Sequence, residues 1–252
     1  MCGRYCLTSA PEAIRRLFRY PEQPNFPPRY NIAPTQPVPI VRWLNGERHF
    51  ALVRWGLIPS WVKDPKTFTL LINARGESVI DKPAFRAAMK RRRCLFPADG
   101  FYEWKTVDGR KQPYFVRAKA GGPIAFAGLW ETWTGPNGEE LDTAAIVTTD
   151  ANKTLRAVHH RAPVIVPPDA FDLWLDTDRV DARTAAALIA PAPEDLLEVY
   201  PVSPAVNRTA NDFPQLIEPL SAPASDKPAA STAAVPGSRS RRKVPGGQGS
   251  LF

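Results

Sequence analysis

Segments rich in apolar residues recur along this chain, and short turn sequences separate them. Three pairs of such segments are joined by turn residues: 37–43 with 48–55 through Asn45-Gly46, 95–105 with 113–117 through Asp108-Gly109, and 124–133 with 141–149 through residues 135–138. Strand-like segments joined by such turns are typical of antiparallel hairpins. Hairpins in series predict an α+β fold, a single domain built on a curved, barrel-like antiparallel sheet with short flanking helices.

Helices are predicted to be few and short. Ser9-Ala10-Pro11-Glu12 has the form of a capping box, and an apolar stripe at helical spacing follows it. Further helical patches fall at residues 82–92, 168–175 and 182–189. The 28 prolines among 252 residues argue against long helices, because proline removes a helical hydrogen bond.

The composition changes near residue 220. Residues 221–252 are rich in Ala, Pro, Ser and Gly, with five basic residues, one acidic residue and a single aromatic, Phe252. Such a segment cannot bury enough apolar surface to offset its ordering entropy, so we expect a disordered basic tail after a domain spanning 1–220. The formal net charge of +8 favours a polyanionic partner such as nucleic acid.

The tail ends in Gln248-Gly249-Ser250-Leu251-Phe252. This sequence is similar to the Gln-x-x-Leu-Phe pentapeptide by which bacterial proteins bind the replication sliding clamp. In that interaction Gln248 would enter a polar subsite, and Leu251 and Phe252 would fill an apolar cleft. The alternative is a terminus without this use, in which the basic residues only add affinity for DNA.

Location and oligomeric state are predicted only in outline. No apolar run approaches the roughly 18 residues of a membrane span, and no apolar signal-peptide core of about 7–15 residues follows the start. We therefore expect a cytoplasmic, nucleoid-associated monomer without a membrane partner. Three cysteines do not make a disulfide framework in a chain of this length.

Cys2 is the first residue with candidate chemistry. Removal of Met1 would leave an α-amine and a thiol on adjacent carbons, which together form a 1,2-aminothiol. The amine, with an ordinary pKa of about 7.7–8.0, condenses with an aldehyde to a reversible imine. The thiol can then close a thiazolidine ring. The same arrangement also suits acyl transfer by an N-terminal nucleophile.

Three further segments carry polar groups that suit catalysis. Asn73, Arg75 and Glu77 alternate with small residues, so in an extended strand they would share one face, which is either a polar pocket or a solvated surface. Glu103 lies among aromatic residues, which would raise its pKa for acid–base work unless it is a rim residue paired with a cation. His159 and His160 could move protons near neutral pH or be structural.

A metal or cofactor site is not predicted. The chain has no phosphate-binding glycine loop, no dinucleotide fingerprint and no C-x-x-C pair. Cys2, Cys6, Cys94 and a histidine could in principle assemble a zinc site, but their spacing matches no familiar zinc motif.

Taken together, these segments resemble the SOS response-associated peptidase family, the abasic-site crosslinking proteins. The resemblance extends over about 1–220 and is carried by stretches in the family's order: residues 1–5, 29–34, 55–61, 72–75, 99–104, 146–149, 159–163 and 201–203. Ala162 replaces the methionine that is usual in the family's pattern.

The resemblance implies the SRAP fold and a protein that crosslinks to abasic sites in single-stranded DNA and so protects them during replication and the DNA damage response. It implies that Cys2, after loss of Met1, is the nucleophile. Asn73 would hold the N-terminal residue and the sugar, Glu103 would assist ring opening and proton transfer, and His159 would stabilise the sugar and act as acid and base, including in slow reversal. The implied DNA contacts are Gly3, Arg4, Asn31, Trp61 and Arg75.

Two other functions stay open at this point. The first is an N-terminal-nucleophile cysteine peptidase or amidohydrolase that uses Cys2 with Glu103 or His159 as base. Autocatalytic removal of Met1 would be compatible with both peptidase and crosslinking chemistry. The second is a noncovalent single-stranded DNA-binding module, for which replacement of Cys2 by serine would have no effect.

Overall fold

Strands make up most of the regular structure in the computed structural model, which describes residues 2–220. The strands in this range are Tyr5–Leu7 (β1), Arg29–Ile32 (β2), Pro37–Leu44 (β3), Glu47–Trp55 (β4), Asn73–Arg75 (β5), Arg93–Ala98 (β6), Gly100–Val107 (β7), Arg110–Ala118 (β8), Ile124–Thr134 (β9), Glu140–Asp150 (β10), Arg161–Pro163 (β11) and Leu197–Pro201 (β12). The α-helices are Pro11–Phe18 (α1), Arg86–Arg91 (α2), Lys153–Arg156 (α3), Phe171–Leu175 (α4) and Ala182–Ala186 (α5). Single 3-10 turns lie at Gly76–Ser78, Pro168–Ala170, Pro204–Asn207 and Pro214–Ile217.

Five strands close into a barrel in the order β10-β4-β3-β6-β9, because β9 pairs with β10 again. The contact between β10 and β4 is parallel, and the other four are antiparallel. Beyond the barrel β10 continues and pairs with β5 and β11. The predicted α+β fold with a barrel-like sheet and short helices is therefore confirmed.

The tight turns hold the hairpins in register. Asn45 and Gly46 have φ angles of 52° and 85°, as a type I′ turn requires, and β3 pairs with β4 along its whole length. The second predicted hairpin lies outside the barrel, in a sheet of order β12-β8-β7-β1-β2. The third, β9 with β10, pairs from Thr134 to Gly128.

The segment predicted over residues 95–105 consists of two strands, because Asp99 separates β6 from β7. Its Oδ2 accepts hydrogen bonds from the backbone N–H groups of Thr8 at 2.6 Å and Ser9 at 2.7 Å. A Cβ atom at Gly100 would lie 2.6 Å from the carbonyl oxygen of Val116, so only glycine allows this approach of β7 to β8. The chain thus passes from the barrel into the second sheet at residues 99 and 100.

The capping box predicted for α1 is wrong. Its N-cap residue is Ala10, without a side-chain cap. The hydroxyl of Ser9 donates to Asp99 Oδ1 at 2.5 Å instead, and Glu12 accepts from Arg15 at 2.9 Å. The long-range partner of Ser9 therefore replaces the local one.

Aromatic rings join the two sheets in the core. The ring of Tyr5 on β1 contacts Trp55 edge-on at a centroid distance of 5.3 Å and Phe126 at 6.1 Å. Phe101 on β7 contacts Phe126 at 5.7 Å. These buried contacts fix β1, and with it the residues that precede β1, against the barrel.

The described part of the chain contains no helix that is both long and apolar enough to cross a membrane. The prediction of a basic tail over 221–252, including Gln248, Leu251 and Phe252, lies outside the described residues.

Candidate active site

Cys2 lies three residues before β1 and is fully buried. The side-chain amide of Asn73, the first residue of β5, donates from Nδ2 to the carbonyl oxygen of Cys2 at 2.9 Å. The other amide atom, Oδ1, is buried and accepts no hydrogen bond from any residue in the described range. Asn73 therefore fixes the backbone of Cys2 and keeps an acceptor for a further hydrogen-bond donor.

Glu103 and His159 form a second pair. Glu103 lies on β7 and is 3% exposed, and its Oε1 is 4.0 Å from Nδ1 of His159, which follows α3. The backbone N–H of Arg161 donates to Nδ1 of the neutral histidine at 3.0 Å. In the tautomer with its proton on Nε2, Nδ1 accepts this bond, and in the other tautomer Nδ1 donates to the carbonyl oxygen of Arg161 at 3.1 Å. The ring of His160 stacks on that of His159 at 4.5 Å.

The two pairs are also coupled through their charges. Burial raises the pKa of the Cys2 thiol well above its ordinary value, and the nearby carboxylate of Glu103 raises it further. Burial likewise raises the pKa of Glu103. Burial lowers the pKa of His159. The site therefore favours a protonated thiol, a neutral imidazole and a carboxyl group that holds its proton more tightly than an exposed glutamate.

The residues expected to contact DNA are in different environments. Trp61 is 58% exposed and contacts Phe68 edge-on at 5.6 Å, so one ring face is open. Arg75, at the end of β5, is exposed, and Gly3 is partly exposed beside Cys2. Arg4 is half-buried, with its guanidinium 5.8 Å from the ring of Trp104. These four residues can be reached from solvent.

Asn31 differs, because it is only 1% exposed. Its Nδ2 donates to the carbonyl oxygens of Arg208 at 3.0 Å and Asn211 at 2.8 Å, and its Oδ1 accepts from Nη1 of Arg4 at 2.7 Å. Asn31 therefore orients Arg4 in this structure, and its contact with DNA stays a prediction.

The expectation that Glu77 shares a strand face with Asn73 and Arg75 is wrong. The strand ends at Arg75, and Glu77 lies in the 3-10 turn Gly76–Ser78. There both of its carboxylate oxygens accept hydrogen bonds from the guanidinium of Arg161, with Oε2 at 2.9 Å. This ion pair turns Glu77 toward β11 and away from the line of the strand.

No cluster of three or more potential metal-binding side chains occurs within residues 2–220. The three cysteines are free and buried.

Comparison with known proteins identifies the family of this chain. The model of the SOS response associated peptidase (SRAP) family matches residues 1–209. The chain is 38% identical over 222 residues to the abasic site processing protein YoqW of Bacillus subtilis, covering 86% of this chain and 99% of that one. It is 32% identical to the abasic site processing protein HMCES of Xenopus tropicalis, covering 85% of this chain and 77% of that one.

The chain belongs to the SRAP family. Solved structures share its fold. A protein from Bacteroides thetaiotaomicron superimposes with a TM-score of 0.75 at 24% identity, covering 86% of this chain and 99% of that one. A phage-related protein from Bordetella bronchiseptica gives 0.64 at 33% identity, covering 80% of this chain and 94% of that one.

Arg161 is the residue of this SRAP site to which the sequence assigned no role. Its side chain, 10% exposed, also contacts Asp150 at 3.0 Å and the carbonyl oxygen of Thr148 at 2.9 Å. Because Arg161 binds Glu77 with its side chain and His159 with its backbone, it ties the segment after Asn73 to the segment of His159. The only sequence signal is its place two residues after His159.

Proposed function

We propose that this SRAP-family protein captures abasic sites in single-stranded DNA by forming a thiazolidine with Cys2 after loss of Met1. The observation that carries the proposal is the hydrogen bond from Asn73 to the Cys2 carbonyl, which fixes Cys2 near Glu103, whose Oε1 is 4.0 Å from Nδ1 of His159. The names of the relatives, abasic site processing proteins, support the same substrate.

The chemistry balances without a cofactor. The neutral amine of Cys2 adds to the C1′ aldehyde of the ring-opened deoxyribose, and loss of one water gives an iminium. The thiol then forms the S–C1′ bond and gives up its proton, which closes the five-membered ring and leaves a neutral secondary amine. The overall reaction joins the aminothiol to the aldehyde and releases one water and no other group.

The pKa directions favour this order of events. A cysteine that attacks first must be a thiolate, but burial and the charge of Glu103 both raise the pKa of the Cys2 thiol. The free α-amine has an ordinary pKa of about 7.7–8.0 and so is partly neutral at pH 7. The amine therefore attacks first, and the thiol closes the ring while losing its proton. This order favours aldehyde capture over peptide hydrolysis.

Glu103 and His159 supply the proton transfers. A carboxyl group whose pKa is raised by burial can protonate the departing hydroxyl of the intermediate formed when the amine adds to the aldehyde. The same carboxyl can assist opening of the closed sugar. In the tautomer whose Nδ1 accepts from the backbone N–H of Arg161, His159 can donate a hydrogen bond from Nε2 to a sugar oxygen. The open Oδ1 of Asn73 can accept one from a sugar hydroxyl.

DNA binding in this proposal uses the exposed members of the site. Trp61 presents a ring face on which a base can stack, and Arg75 presents a guanidinium for a phosphate. Arg4 is oriented by Asn31 and can reach the strand near Cys2. Phosphate contacts position the strand without reading its sequence, so affinity should fall with salt.

The test is a denaturing gel of the purified protein with single-stranded oligonucleotides, one with an abasic site and one intact. The expected result is a heat-stable adduct with the abasic strand alone, lost in Cys2→Ala and retained in the control Cys94→Ala. In Cys2→Ser we expect an imine that borohydride must trap, because an oxygen ring closes less durably. Wild-type protein confirmed by mass to lack Met1 that gives no adduct would refute the proposal.

We also propose the sliding clamp as a partner, on the sequence of the terminus alone. Deletion of Leu251 and Phe252 should abolish retention on an immobilised bacterial clamp and leave the abasic adduct unchanged. Equal retention of the full and shortened chains would contradict this partner.

A further inference from the structure

The end of the β7–β8 hairpin is a basic arm, defined here as residues 105–111. All seven residues are exposed, and their charges are Lys105, Arg110 and Lys111 against the single acid Asp108. None of the three cations makes a hydrogen bond or an ion pair with its side chain among residues 2–220. By contrast, Arg117 at the base of the hairpin binds Glu198 at 2.6 Å.

The arm projects beyond the second sheet. β12 pairs with β8 only from Tyr114 onward, and β1 pairs with β7 only at Gly100 and Phe101. Residues of the arm therefore pair only within the hairpin, Lys105 with Gln112 and Val107 with Arg110. Within residues 2–220 no other strand pairs with either edge of the arm, and its side chains are exposed.

The arm is rigid enough to place its charges. Asp108 and Gly109 have φ angles of 48° and 74°, the values of a type I′ turn that matches the twist of the two strands. Alternate side chains of a strand share a face at a spacing of about 7 Å. Lys105 therefore lies about 7 Å from Glu103 along the strand, on the same face. Arg110, which pairs with Val107, lies about 14 Å from Glu103 on that face.

The second face of the hairpin leads to another residue of the site. Lys111 pairs with Thr106, which alternates with Trp104, and the ring of Trp104 lies 5.8 Å from the guanidinium of Arg4. The arm thus extends outward between the proton-transfer residue Glu103 and the candidate DNA contact Arg4. A strand whose abasic sugar lies at Glu103 would continue along the arm.

We propose that Lys105 and Arg110 bind backbone phosphates of the single strand next to the abasic nucleotide, so that the arm holds the strand in the site. The proposal rests on the proposed function, because it places the abasic sugar at Glu103. Exposed cations that have no side-chain partner among residues 2–220 fit phosphate, which needs charge and no defined base edge. The contact should be independent of DNA sequence and sensitive to salt.

The test uses full-length protein and an undamaged single-stranded oligonucleotide, so that binding is measured without the covalent step. The arm variant is Lys105→Gln with Arg110→Gln. Its control is Arg16→Gln with Arg183→Gln, which removes the same charge from exposed positions on α1 and α5. Affinity is measured between about 50 and 200 mM salt. Losing two phosphate contacts should reduce the salt slope by about 1.4 and the affinity at 0.1 M salt about 25-fold.

The control should bind within about twofold of wild type. If both variants lose the same affinity for the strand, or neither loses any, the proposed phosphate contacts of the arm are refuted and the adduct assay is unaffected. If the wild-type protein binds the strand with the expected salt dependence but forms no adduct, the proposed function is refuted and the phosphate contacts of the arm are not. If the wild-type protein does not bind the undamaged strand, the proposed phosphate contacts of the arm are refuted.

Discussion

Replacement of Asn73 by alanine tests how much the site depends on a fixed Cys2. Two interactions are removed. One is the hydrogen bond from Nδ2 to the Cys2 carbonyl at 2.9 Å, and the other is the acceptor Oδ1, which is buried without a partner in the described chain. A neutral hydrogen bond contributes about 0.5–1.5 kcal/mol net. If both bonds act in the transition state, the loss is about 1–3 kcal/mol, or about 5- to 160-fold in rate.

The assay is the single-turnover rate of adduct formation at saturating abasic DNA, read on a denaturing gel. Loss of the Cys2 bond alone would slow the reaction about 2- to 13-fold, so a larger effect would show that Oδ1 also binds the sugar. Asn73→Asp separates the two atoms, because an ionised carboxylate retains an acceptor and loses the donor.

Unfolding must be distinguished from this effect. Asn73 is half-buried, and its removal should cost no more than about 1.5 kcal/mol, which lowers Tm by a few degrees in a chain of this size. An unchanged single-turnover rate in a folded Asn73→Ala protein would refute the idea that this side chain fixes the nucleophile. A lost rate with a Tm drop of more than about 10 °C would show that the residue is structural.

Three other outcomes follow from the structure. Arg93 is 1% exposed and donates to four backbone carbonyls, those of Met89, Trp174, Asp176 and Val180. Arg93→Met should therefore lower the unfolding free energy, measured in urea, by about 3–5 kcal/mol. A loss below about 1 kcal/mol would contradict this role. Trp61→Ala should weaken single-strand binding about 5- to 160-fold, the equivalent of one stacked base, with an unchanged Tm because the ring is 58% exposed. Burial raises the pKa of Glu103, so the folded protein binds the carboxyl proton more tightly than the unfolded chain does. The free energy of unfolding therefore falls as the pH rises from the ordinary pKa of the carboxyl through the raised one. Glu103→Gln should therefore gain stability over wild type as the pH rises above about 4.3, and parallel stability curves for the two proteins would show that the pKa is not raised.

The local parts of the fold were predictable because local chemistry determines them. Asn45-Gly46 can adopt positive φ at both positions, and the hairpin follows from that dipeptide whatever surrounds it. Closure of the barrel depends on the parallel contact of Arg54 and Trp55 with Thr143 and Ala144, nearly 90 residues away. Turn residues do not encode such a contact.

The wrong predictions for Ser9 and Glu77 have the same cause, because each polar side chain has a partner that is distant in the sequence. Ser9 could cap α1, but Asp99 satisfies its hydroxyl from the junction between the two sheets. Glu77 could continue a strand face, but Arg161 holds it in a 3-10 turn. In both cases an acid–base or donor–acceptor match across more than 80 residues outweighs a local preference worth about 1 kcal/mol.

The candidate site was predictable as residue types, and its geometry was not. Cys2, Asn73, Glu103 and His159 came from the chemistry of their side chains and from the family resemblance. The sequence does not show that Asn31 is buried behind Arg4, because an Asn within a strand is equally compatible with exposure. A residue that orients another is visible only when the partner's position is known.

Burial of Cys2 is the feature that best separates the competing mechanisms. In a cysteine peptidase, burial beside a carboxylate would be a disadvantage, because both raise the thiol pKa and suppress the thiolate. In aldehyde capture the amine forms the first bond, and a thiol that stays protonated until the iminium exists is protected from reaction beforehand. The iminium carbon is then bonded to the amine of the same residue that carries the sulfur, so proximity compensates for the low thiolate content. The same burial therefore weakens one mechanism and suits the other.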